Sequence, residues 1–71
     1  MSIARDILTT ARRRLGLGVG DIAKRMECNV NTAYRVERGE RVRGTLLERV
    51  PAVYELDDET AGRWLRARGE R

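Results

Sequence analysis

Glycine and one proline cut this chain into short pieces, and each piece carries the apolar spacing of a helix. Gly16, Gly39 and Gly69 each follow a run with period near 3.6, where a left-handed residue ends a helix. Period-2 alternation is not sustained, so strands are not expected. The pattern therefore predicts an all-α fold, a compact bundle of about five short helices. With 71 residues there is room for a single domain over 1–71. A core of that size is marginal, which calls for tight helix packing or a partner subunit.

The first predicted helix runs from Ser2, a good N-cap, to Arg14, with Ile3, Ile7, Leu8, Ala11 and Leu15 at helical spacing. Arg12, Arg13 and Arg14 suit the negative end of its dipole. A glycine loop then leads into a second short helix with Ile22, Ala23 and Met26 on one face. That glycine spacing is not a nucleotide-binding fingerprint. Asn29 is the expected cap of a third helix from Val30 to about Arg38, with Ala33 and Val36 inward and Asn31, Tyr34, Arg35 and Arg38 outward. The basic loop 39–44 follows. Thr45-Leu46-Leu47-Glu48 has the form of a capping box for a fourth helix, whose apolar side is Leu46, Leu47, Val50, Val53 and Tyr54. Pro51 is expected to kink or restart it. Asp57-Asp58-Glu59 opens a fifth helix with Ala61, Trp64 and Leu65 as its apolar stripe.

Charge is unevenly placed. Residues 1–43 carry ten Lys or Arg against five acids, and residues 44–71 carry five against six. Fourteen of the fifteen cations are Arg, the side chain whose planar fork fits phosphates and guanine edges. The chain has no histidine and one cysteine, Cys28, which removes Ser–His–Asp and Cys–His catalysis and an ordinary zinc site. Cys28 reads as a small buried apolar residue. No enzyme activity, metal or cofactor is expected. No apolar run approaches the roughly 20 residues that cross a bilayer, and no signal-peptide pattern opens the sequence. A cytoplasmic setting without membrane contact is the expectation.

The two short helices around residues 19–38, joined by a tight turn, suggest a helix-turn-helix. Arg12, Gly16, Leu17, Ile22-Ala23 and Val36-Glu37-Arg38-Gly39 make the likeness specific. Residues 5–56 resemble the phage-repressor (lambda repressor-like, Cro/cI or XRE) family of helix-turn-helix proteins. The resemblance implies a DNA-binding transcription regulator, a repressor, that sets the third helix in the major groove of double-stranded DNA. It implies Val30, Asn31, Tyr34 and Arg35 as base contacts, and Gly18, Val19, Asn29, Arg38, Arg41, Arg43 and Thr45 as phosphate contacts. It implies an ion pair between Arg12 and Glu37 that orients the reading helix. Domains of this kind bind as symmetric dimers on half-sites about one helical turn apart. Residues 45–68 would complete the core and supply a homodimer patch from Val53, Leu56, Ala61, Trp64 and Leu65, although Trp64 also reads as monomer core. An antitoxin that binds a partner protein and represses its own operon is the alternative. Three positions depart from the family pattern. Val19 stands where a polar side chain often holds a phosphate. Glu27 stands at a turn that favours glycine, and Pro51 falls within a helix that is normally regular.

Overall fold

The computed structural model describes residues 2–69; residues 1, 70 and 71 of the expected domain lie outside it. Five helices follow in order: α1 Ile3–Arg14, α2 Val19–Met26, α3 Val30–Arg38, α4 Gly44–Val53 and α5 Asp58–Gly69. There is no strand among the described residues. No helix among them is long and apolar enough to cross a membrane.

The ends of the helices follow from local chemistry. The Ser2 side chain accepts from the Arg5 amide at 3.3 Å, and the Asn29 side-chain Oδ1 accepts from the Thr32 amide at 3.2 Å. Asp57 does the same for Thr60 at 2.7 Å. At the other end of α1, Gly16 takes φ +71°, and its amide and that of Leu17 donate back to Arg13 and Arg12. Gly39 closes α3 with φ +81°. Glu27 closes α2 in the same left-handed region, φ 58°, with no glycine to ease it, at a cost of roughly 1–2 kcal/mol. Glu55 is the second such residue, φ 53°, in the link from α4 to α5.

α2 packs on α3, α1 on α5, and α1 and α4 hold the outer sides of the pair. The core is Ala4, Leu8, Ile22, Ala23, Met26, Ala33, Val36, Val50, Tyr54 and Trp64, with Val19 at its edge. Ala23 and Ala33 are small where α2 and α3 meet, which lets the helices approach.

Several expectations need correction. Ile3 does not face the core and is 65% exposed, because Ala4 and Leu8 define the inward face of α1. The fourth helix begins one residue before Thr45, with Arg43 as its N-cap and no side-chain cap bond, so the Thr45–Glu48 capping box does not form. Pro51 neither divides nor restarts this helix. It sits in the last turn, where its missing N–H forfeits one bond to Leu47 and the helix ends two residues later. On α5, Trp64 is completely buried whereas Leu65, the next residue, turns outward at 54% exposure. Leu65 is therefore not part of the inward stripe. Cys28 is half-buried at the core's margin rather than inside it.

Candidate nucleic-acid interface

α3 has two unlike faces. Ala33, Val36 and Glu37 are buried on one side. Val30, Asn31, Tyr34, Arg35 and Arg38 are all exposed on the other. Residues 30, 31, 34 and 35 are one helical turn apart in pairs, so they share a stripe.

The buried face is fixed by one carboxylate. Arg12 Nε donates to Glu37 Oε2 at 2.7 Å and Arg12 Nη2 donates to Oε1 at 3.3 Å, a two-pronged pair between α1 and α3. Arg12 Nη1 also donates to the Leu17 carbonyl at 3.2 Å, which ties down the loop before α2. The Tyr54 hydroxyl donates to Glu37 Oε2 at 2.9 Å, and the Thr9 hydroxyl to Oε1 at 3.5 Å. The side chains of Arg12 and Glu37 are 17% and 7% exposed. An ion pair this well shielded is costly to break from one side, about 3–5 kcal/mol. The hydrogen bond to Glu37 pushes the Arg12 guanidinium above its ordinary range. Burial, then the Glu37 charge, pushes the Tyr54 phenol far above its ordinary value, so it stays protonated and donates.

Tyr54 and Thr9 escape a reading of the sequence because both fall at helical positions that apolar residues also fill. The usable signal is chemical: a buried tyrosine hydroxyl needs an acceptor, and Glu37 is the buried acid.

Arginines gather next to the exposed stripe, in two depressions that share Arg35 and Arg41. Thr32, Arg35, Arg41, Arg43, Thr45 and Arg49 line a depression of about 480 Å³ beneath the α2–α3 turn. Arg35, Arg38, Arg41 and Arg68 line another, of about 590 Å³, at the C-terminal end of α3. The structure thus brings together Arg35, Arg38, Arg41, Arg43 and Thr45, which are separate in sequence. It adds two arginines that the sequence did not single out. Arg49 Nη1 donates to the Met26 carbonyl at 2.7 Å. Arg68 lies over the Trp64 ring, 5.8 Å from its centroid, and Nη2 donates to the Glu40 carbonyl at 2.9 Å. Burial lowers the pKa of the Arg68 guanidinium.

The start of α2 differs from expectation. Gly18 N–H donates to Asp21 Oδ2 at 2.9 Å, so that amide is occupied and a carboxylate sits at the helix N-terminus. Gly18, expected at a phosphate, has its amide engaged within the chain. The Val19 side chain is buried, so only its amide, which heads α2 without a carbonyl one turn back, is left to donate. Asn29 uses its side-chain oxygen on Thr32, which leaves its NH₂ as the outward donor.

Of the candidate dimer residues, Trp64 is a correction: its indole is enclosed within the monomer and offers no surface. Val53, Leu56 and Ala61 are half-buried, and Leu65 is exposed. No family model, curated protein or solved structure matches this chain.

Proposed function

We propose that this chain is a sequence-specific double-stranded DNA-binding regulator of the phage-repressor-like helix-turn-helix kind, and that α3 enters the major groove. The observation that carries the reading is the two-sidedness of α3. Its inner face is locked through Glu37 to Arg12 of α1 and to Tyr54 at the end of α4, and its outer face presents Asn31, Tyr34 and Arg35, the last at the shared edge of two arginine-rich depressions. An α-helix is about 10–12 Å across with its side chains, which a major groove about 12 Å wide accepts, and the nine residues of α3 run for roughly 13 Å.

In this reading Arg35 takes guanine O6 and N7, Asn31 takes adenine, and Val30 meets a thymine methyl. Arg38, Arg41, Arg43 and Thr45 hold phosphates on either side, aided by the Val19 amide and the Asn29 side chain. The protein acts as a homodimer on DNA, with Leu65 among the residues at the contact, and works in the cytoplasm as a repressor.

The test is fluorescence anisotropy on DNA fragments from around its own gene and on random duplex, at several salt concentrations, with Arg35→Ala in parallel. One fragment bound far more tightly than random DNA, with that preference lost in Arg35→Ala at a cost of about 1–3 kcal/mol, supports base reading. Equal weak binding to all fragments, unchanged by the substitution, overturns it.

A further inference from the structure

Glu40 is the acid that touches the arginines of the reading helix. Its Oε1 lies 3.4 Å from Arg35 Nε and its Oε2 2.7 Å from Arg38 Nε. The left-handed Gly39 makes this possible. It folds the chain back so that the Glu40 amide donates to the Arg35 carbonyl at 2.9 Å, which sets the Glu40 carboxylate over the last turn of α3. On the other side, Arg68 from α5 holds the Glu40 carbonyl. The backbone of Glu40 is thus fixed at both ends, while its carboxylate is 44% exposed and faces the same solvent as the two guanidinium groups.

A carboxylate bridging two arginines has the charge and reach of a phosphate oxygen pair. We propose that Glu40 is a specificity-determining residue: an internal counter-anion that holds Arg35 and Arg38 in the free protein and competes with the DNA backbone for them. The inference rests on the nucleic-acid reading above. Random DNA offers these arginines little beyond phosphate charge, so it must displace Glu40 for no compensating gain. The correct site offers Arg35 a guanine edge, whose two acceptors fit a directional fork that a single long bond at 3.4 Å does not fill. Glu40 therefore weakens non-specific binding more than specific binding.

The experiment compares wild type, Glu40→Gln and Glu40→Asp on the preferred fragment and on random duplex across a salt series, with helicity checked by circular dichroism. Glu40→Gln keeps both backbone bonds and removes only the charge. The expected result is random-duplex binding about 3- to 10-fold tighter at about 0.1 M salt. Its log–log salt dependence is steeper by about one, and the preference for the specific fragment falls. Glu40→Asp, which retains the charge, keeps the wild-type salt slope. That separates charge from shape. If Glu40→Gln matches wild type in slope and random-duplex affinity, or if Glu40→Asp shifts as Glu40→Gln does, the counter-anion role is wrong while the DNA-binding reading stands. If neither wild type nor Glu40→Gln binds any duplex at low salt, the nucleic-acid reading fails and takes the inference with it.

Discussion

Tyr54→Phe isolates one bond in the network that holds α3. The ring is 1% exposed, and phenylalanine fills the same space, so no cavity opens and only the hydroxyl is lost. That hydroxyl donates to a buried carboxylate at 2.9 Å. A hydrogen bond to a charged group contributes about 1.5–3 kcal/mol. Glu37 keeps both Arg12 bonds in the variant, so it is under-satisfied rather than orphaned, and about 2 kcal/mol is the expected loss. For a domain of this size that lowers Tm by roughly 8–16 °C. Urea titration followed by circular dichroism should show a lower midpoint with unchanged slope, because the exposed surface on unfolding is the same. Arg12→Met should cost more, about 3–5 kcal/mol, since it strands the Glu37 charge. The double variant should fall short of the sum by about 0.5–3 kcal/mol, because both donors serve Oε2. There is a pH signature as well. The folded phenol titrates above the value of 10.0 at which the unfolded one does, so its contribution is complete below pH 10 and declines as pH rises beyond it. Wild type should therefore lose its advantage over Tyr54→Phe in strong base. A Tyr54→Phe loss under about 0.5 kcal/mol, or strict additivity with Arg12→Met, would refute the network as drawn.

Other outcomes follow from single features. Glu27→Gly relieves a left-handed φ worth about 1–2 kcal/mol but adds glycine's unfolded freedom, so the unfolding free energy from urea titration should rise by about 0.5–1 kcal/mol. Trp64→Ala should cost about 3–5 kcal/mol in urea unfolding, whereas its exposed neighbour in Leu65→Ser should stay within about 0.5 kcal/mol. Asp57→Ala removes the α5 cap. The Thr60 amide bond holds the Asp57 carboxyl below its ordinary 3.8, so the stabilisation is present above that pH and lost as pH falls through the folded value. The Tm gap from wild type should be open at pH 7 and narrow below pH 3.8.

Element boundaries were legible because caps are local. Ser2, Asn29 and Asp57 each announce a helix by a side chain that reaches three residues on, and Gly16 and Gly39 end one by conformation. The inward residues of α2 and α3 were legible for a similar reason: a short amphipathic helix has one apolar face. What the sequence could not show is where two polar side chains meet across the core. Tyr54 looked like another apolar position of the fourth helix, and its bond to Glu37 depends on where the end of α4 lies beside α3. Leu65 read as core because spacing alone does not say that Trp64 already fills the inner face of α5. At the α2 N-terminus the spacing did not show that Asp21 reaches back to Gly18 and occupies its amide. Glu40 was hidden by its setting in a basic loop, and only the turn at Gly39 shows which arginines it meets.

The Glu37 carboxylate has a consequence for how this protein can be taken apart. Its partners come from residues 9, 12 and 54, so α3 owes its seating to chain segments that lie outside the α2–turn–α3 pair on both sides. A peptide spanning only residues 19–38 carries the whole outward stripe but leaves Glu37 without a single one of these donors. Transplanting that stripe onto another scaffold therefore means transplanting a tripod as well: an arginine, a hydroxyl and a tyrosine, each on a different turn of helix from the residues they serve.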